Sequence, residues 1–236
     1  SPYTAGYCSY YFPAADTGVQ YTYQSGSWSI LASGNSWTAE GWIYLISQTS
    51  GASTILATGT GKDTAGYTTQ LCVNTSLGVN WYWSYSPNYT ASTTNNVIPL
   101  NRWTHIALTC SGTTLAIYVN GVSQTLSGTT TQTAVTPSTY LQLNSVGTGS
   151  ASYANMYLSN VRLSNNVRYA ANFVPPTTPF VNDANTTYLF AGANNFNDKG
   201  IYQLTGNNSG GIVATANPFA TQYVANTPYY STQFNG

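Results

Sequence analysis

The stretch Asn101-Arg-Trp-Thr-His-Ile-Ala-Leu-Thr-Cys-Ser-Gly-Thr-Thr-Leu-Ala-Ile-Tyr-Val-Asn-Gly121 holds two alternating runs and two turn signals. Ile106, Leu108 and Cys110 alternate with His105, Ala107 and Thr109. Ser111 to Thr114 supply a turn, and Leu115, Ile117 and Val119 resume the alternation up to Asn120-Gly121. An Asn-Gly pair beside alternating runs marks a tight hairpin, because both central residues of such a turn need positive φ. The stretch therefore predicts β-structure with one buried face.

Outward from this hairpin the same grammar repeats. Short alternating runs punctuated by Gly, Asn-Gly and Ser/Thr clusters predict strands at Tyr7–Phe12, Val19–Tyr23, Trp37–Ser47, Thr54–Thr58, Thr68–Thr75, Gly78–Tyr85 and Trp103–Cys110. Further strands are predicted at Thr114–Asn120, Val122–Thr125, Tyr140–Leu143, Ala154–Leu163 and Thr187–Phe190. Asn166–Phe173, ahead of Pro175-Pro176, is the one expected helical turn. Many antiparallel strands without interleaved helices imply an all-β, two-sheet antiparallel sandwich.

Composition narrows the partners. Charged residues make up 4% of the 236, five of each sign, against roughly 25% in an ordinary domain. With no basic stripe and no polybasic cluster, neither nucleic acid nor an anionic membrane is expected as a partner. No run approaches the roughly 18 apolar residues of a membrane span. Low charge with abundant Tyr, Thr and Asn suits an extracellular or virion-surface protein, and near-zero net charge favours an oligomer or repeated array. A start at Ser1 leads us to expect a processed piece of a longer protein. Cys8, Cys72 and Cys110 match no zinc spacing, and alternation puts Cys110 on an inward face.

Read in order, Ser9-Tyr-Tyr-Phe12, Ser36-Trp-Thr-Ala-Glu-Gly-Trp-Ile-Tyr44, Arg102-Trp-Thr-His-Ile-Ala107 and Leu115-Ala-Ile-Tyr-Val-Asn-Gly121 resemble the strands of concanavalin A-like, laminin G-like jelly-roll domains. Met156-Tyr-Leu-Ser-Asn-Val-Arg-Leu163, Arg168-Tyr-Ala-Ala-Asn-Phe-Val-Pro-Pro176 and Tyr188-Leu-Phe190 extend the likeness. It implies a jelly-roll domain over residues 1–191 and an extended β-rich tail over 192–236. The tail either closes this domain's own sheet or leads into a second similar domain, since Tyr230-Ser-Thr-Gln-Phe234 parallels Cys8-Ser-Tyr-Tyr-Phe12. The Arg168-Tyr-Ala-Ala-Asn-Phe-Val-Pro-Pro176 form resembles domains of bacteriophage and other viral structural proteins. The resemblance thus implies a non-enzymatic virion structural module, a surface decoration or tail appendage whose partners are other virion or surface subunits.

The same family contains glucanases, whose retaining members need two carboxylates about 5 Å apart. Glu40 is the only glutamate, and Asp16, Asp63, Asp183 and Asp198 stand alone in turn contexts. No catalytic residue is therefore expected, and a degenerate glucanase-like enzyme ranks third among the readings. His105, the only histidine, should lie on the outward face by alternation, as a structural strand residue. Arg102, Arg162 and Arg168 should bond carbonyls or pair with Asp183 or Glu40. No metal or cofactor is expected; were calcium to bind, Asp63 with carbonyl help would be its place.

The alternative function is a glycan-binding adhesin that attaches to host polysaccharide. Trp81 and Trp83 alternate onto the buried side of their strand, which leaves Tyr82, on the opposite face, and Tyr89, Asn88, Asn95 and Asn96, in the following loop, as candidate glycan- or partner-binding residues.

Overall fold

The hairpin around residues 101–121 is present in the computed structural model, which describes residues 8–13, 17–24, 27–32, 34–48, 51–59, 67–84, 89–133, 135, 139–144, 154–191, 195–214 and 216–219. Among these, strands β1 (Ser9–Phe12), β2 (Gly18–Thr22), β3 (Trp37–Ser47), β4 (Ser53–Gly59), β5 (Tyr67–Val73), β6 (Val79–Ser84), β7 (Tyr89–Ser92) and β8 (Trp103–Ser111) precede the turn at Gly112. Strands β9 (Thr114–Val119), β10 (Val122–Ser123), β11 (Ser127–Gly128), β12 (Tyr140–Leu143), β13 (Asn155–Ser164), β14 (Thr186–Phe190), β15 (Asn207–Ser209) and β16 (Ile212–Ala214) follow it.

They form two antiparallel sheets. The first runs β10-β9-β8-β3-β13-β1-β16, with β14 also paired to β13; the second runs β11-β7-β6-β5-β4-β12-β2-β15. Their inner faces enclose one core, in which Trp28, Trp37, Trp81 and Trp83 are fully buried. The indole N–H groups of Trp81 and Trp83 donate to Gln132 Oε1 and Thr133 Oγ1, each at 3.2 Å. Cys8, Cys72 and Cys110 are all buried and unlinked, and burial raises the thiol pKa of each.

The turn at Asn120-Gly121 has the expected positive φ at both residues, 48° and 78°. Gly121 is required for a second reason: a Cβ there would lie 1.8 Å from the Phe173 carbonyl oxygen. That carbonyl belongs to residues 165–185, a strap crossing the outer face of the first sheet. The expected helical turn at Asn166–Phe173 does not form. Its backbone bonds the sheet instead: Arg168 N–H donates to Thr38 Oγ1 at 2.9 Å and Phe173 N–H to the Gly121 carbonyl at 2.9 Å. The helical element among the described residues is a single 3₁₀ turn at Ser29–Leu31.

Beyond Phe190 the described residues through Phe219 stay on this domain. The Tyr10 and Tyr21 hydroxyls donate to the Asn195 and Phe196 carbonyls at 2.7 and 2.6 Å, β15 pairs with β2, and β16 pairs with β1. The repeat-like segment Tyr230–Phe234 lies outside the described residues.

Candidate functional site

Strict alternation sends one set of side chains from each strand of the first sheet away from the core. On β3 the outward set is Thr38, Glu40, Trp42 and Tyr44; on β8 it includes Trp103, His105 and Ala107; on β13 it includes Tyr157 and Arg162. One extra residue in β13 makes this last pair possible. The register shifts between Ser159 and Arg162, and Asn160 sits at φ 51°. The bulge transfers the outward position from residue 161 to 162, so Val161 packs in the core and Arg162 faces Glu40.

The outer face is divided. At one end Trp103, Tyr44, Tyr157 and Tyr11 are direct register partners across four adjacent strands: Trp103 opposite Tyr44, Tyr44 opposite Tyr157, Tyr157 opposite Tyr11. Their ring centroids are 5.6, 5.8 and 4.8 Å apart in that order, the last pair stacked. All four side chains are partly exposed, and the half-exposed Ile212 continues the row on β16. With strands about 4.8 Å apart, the ladder is a nearly continuous aromatic strip roughly 14 Å long.

Beside it lies a groove of about 550 Å³. Trp42, Tyr44 and Trp103 form its floor, Val174–Thr177 of the strap one wall, Pro218 and Phe219 the other, and Asn101 with Arg102 its rim. The rim is held by the Asn101 N–H, which donates to the Leu45 carbonyl at 2.8 Å. The Trp42 ring packs edge-on against Phe219, centroids 6.0 Å apart.

At the other end the strap seals a charged cluster. Glu40 Oε1 accepts from Arg162 Nε and Nη2 at 2.9 and 2.6 Å; Oε2 accepts from the Tyr169 hydroxyl at 2.7 Å and lies 3.2 Å from His105 Nε2. Burial alone would raise the Glu40 pKa, but the His105 hydrogen bond, the Arg162 charge and Tyr169 outweigh it and hold it below the ordinary value of 4.5. Arg168 grips Asp183 through both carboxylate oxygens at 2.9 and 3.0 Å, which keeps the Asp183 carboxyl far below the usual range. The remaining described carboxylate, Asp198, accepts the backbone N–H groups of Leu189 and Gly200 at 2.8 and 2.6 Å, while burial raises its pKa.

His105 thus occupies the outward face that alternation assigns to it, yet it is fully buried. Trp42, Tyr169, Phe173 and Phe180 surround it with ring centroids 5.1 to 6.3 Å away. Alternation reads the face of a sheet and cannot see a strap laid over it. The Arg pairings expected from the sequence are realised for Arg162 and Arg168.

The residues singled out from the sequence do not converge. The Tyr82 hydroxyl accepts from Asn80 Nδ2 at 2.7 Å within a polar row on the second sheet, and Tyr89 stacks on the buried Trp83 at 5.9 Å. Asn95 and Asn96 are exposed in a turn at the opposite end of the β6–β7 pair from Tyr89; the Asn96 N–H donates to the Ser76 carbonyl. Asn88 and Asp63 lie outside the described residues. The ladder residues escape the sequence reading, although each is an outward aromatic in an alternating strand.

These features match known proteins at the level of fold. The model of the concanavalin A-like lectin/glucanases superfamily matches residues 16–172. The chain belongs to that superfamily. This concanavalin A-like domain is similar to a candidate carbohydrate-binding protein from Bacteroides ovatus, at TM-score 0.59 and 14% identity over 87% of this chain. The chain spans only 59% of that protein's length. It is also similar to the native heptameric SAP-like pentraxin of Limulus polyphemus, at TM-score 0.58 and 13% identity, covering 90% of this chain and 97% of the pentraxin. At such identities the likeness concerns the fold alone. No protein among those with curated descriptions matches the chain.

Proposed function

We propose that this concanavalin A-like domain is a non-catalytic glycan-binding module whose site is the Trp103–Tyr44–Tyr157–Tyr11 ladder and the adjoining groove. The observation that carries the reading is the register: four partly exposed aromatic rings lie directly opposite one another across four strands. An exposed aromatic strip of this kind, edge-on at its first two ring contacts and stacked at the third, offers ring faces to the apolar faces of sugars, while Asn101, Arg102 and Thr177 beside it offer polar groups to hydroxyls. The carbohydrate binding named for the Bacteroides ovatus protein agrees with it.

The placement of the described carboxylates supports a non-catalytic role. Glu40 is sealed beneath the strap by Arg162, His105 and Tyr169, and Asp183 and Asp198 are committed to Arg168 and to backbone N–H groups. A glycosidase needs two carboxylates flanking an accessible bond. An extracellular or particle-surface location, on a virion or on a cell, suits a module that attaches to polysaccharide. The virion subunit role expected from the Arg168–Pro176 resemblance has no separate structural feature supporting it.

Affinity electrophoresis against a panel of soluble polysaccharides tests the proposal. Retardation in at least one, lost in Trp103→Ala and without release of reducing ends, is the expected result. Absence of retardation across the panel, or retardation unchanged in Trp103→Ala and Tyr44→Ala, would sink it.

A further inference from the structure

Charge is scarce in this protein, so the place of each charge is informative. Of the cations among the described residues, Arg162 is bonded to Glu40, Arg168 to Asp183, and Lys199 lies beside Asp198 and 3.4 Å from Asn195 Oδ1. Arg102 differs. It is exposed, lines the groove next to Trp103, and its guanidinium has no carboxylate partner among the described residues. Its backbone is fixed by the Asn101–Leu45 bond and by the Thr104 hydroxyl, which donates to the Arg102 carbonyl at 3.4 Å. A fixed backbone immediately before β8 holds this exposed guanidinium at the edge of an aromatic floor.

From this placement, and resting on the glycan-binding reading above, we infer that the ligand is an acidic polysaccharide, one whose sugar rings carry carboxylates. A guanidinium presents two parallel N–H donors that match a carboxylate in bidentate fashion. A uronate ring stacked on Trp103 or Tyr44 would place its carboxylate at the groove rim, within reach of Arg102. The strip supplies sequence-tolerant stacking, and Arg102 supplies the discrimination between acidic and neutral sugars. Because Arg102 is exposed, salt screens the interaction, and affinity for the acidic polymer falls as ionic strength rises.

The test uses the whole chain and polyuronates, namely polygalacturonate, alginate and glucuronoxylan, each beside its carboxyl-reduced neutral form, in calorimetric titrations. The expected result is that at least one polyuronate binds at least tenfold more tightly than its reduced form. Arg102→Gln abolishes that difference by weakening the polyuronate far more than its reduced form, and Arg102→Lys restores only part of it. Equal affinity for a polyuronate and its reduced form would overturn the inference while leaving the glycan site standing. So would a preference that survives Arg102→Gln, or dextran sulfate bound at the groove as tightly as any polyuronate. Binding to none of the polymers, acidic or neutral, would remove both readings together.

Discussion

The two halves of the outer face of the first sheet share three strands and do opposite things. β3 contributes Glu40 to one and Tyr44 to the other, β8 contributes His105 and Trp103, and β13 contributes Arg162 and Tyr157. Under the strap the outward positions are polar and charged, and they are sealed from water by Tyr169, Phe173 and Phe180. Beyond the strap the outward positions are aromatic and open. This inverts the usual division, in which apolar groups are buried and charges exposed. The inversion makes sense if the sealed half holds the strap and the open half meets a ligand.

The largest effect should come from breaking the sealed half. Glu40→Ala leaves Arg162 buried without its partner, and a loss of about 3–5 kcal/mol is expected in denaturant unfolding. The same carboxylate sets an acid limit. Its pKa is lowered on folding, so its stabilisation is fully present above the ordinary value of 4.5 and is lost as pH falls below it toward the folded-state value. Stability measured from pH 5 downward should therefore fall in the native protein and fall less steeply in Glu40→Gln.

Gly121→Ala should come next. A residue with a Cβ at this φ costs about 1–3 kcal/mol, and the Phe173 carbonyl leaves no room for it. Hydrogen exchange should show the Phe173 amide losing protection before the β8–β9 ladder does.

In the open half the balance reverses. Tyr44→Ala removes two cross-strand ring contacts worth at most about 1 kcal/mol each, yet glycan affinity should fall tenfold or more, about 1.4 kcal/mol. The smallest effect is expected on the second sheet. Tyr82→Phe deletes the acceptor of one Asn80 hydrogen bond, costs about 1 kcal/mol or less, and leaves glycan binding unchanged.

Much of the fold is legible in the chain because most strands keep one face buried. Trp37–Ser47 and Tyr140–Leu143 can be read to the residue, and Asn120-Gly121 announces its own turn. The short β7, β15 and β16 (Tyr-Thr-Ala-Ser, Asn-Asn-Ser and Ile-Val-Ala) escape because none shows the large-apolar and polar alternation of Leu141-Gln-Leu143. The Asn166–Phe173 segment looks helical because it runs without a breaker until Pro175-Pro176 end it, but N–H groups of Arg168 and Phe173 are claimed by Thr38 and Gly121, which lie far away in sequence.

The candidate site escapes for a related reason. Tyr11, Tyr44, Trp103 and Tyr157 each stand outward in a strand, but their meaning depends on which strands are neighbours and in what register. Tyr82 and Tyr89 attract attention because they cluster in sequence with Trp81 and Trp83, and that cluster is core. Glu40, His105 and Arg162 are individually conspicuous as rare charged or titratable residues. Only the β13 bulge and the strap show that they form one sealed unit.

The central claim is that the open half is the ligand surface. A titration of the protein with an oligosaccharide of a polymer it binds, followed by NMR of the backbone amides, aromatic rings and indole N–H groups, tests this. Saturable shifts confined to Tyr11, Tyr44, Trp103, Tyr157 and their groove neighbours Trp42 and Arg102 are expected. Shifts centred on Tyr82, Tyr89, Asn95 and Asn96, with the ladder silent, would contradict it.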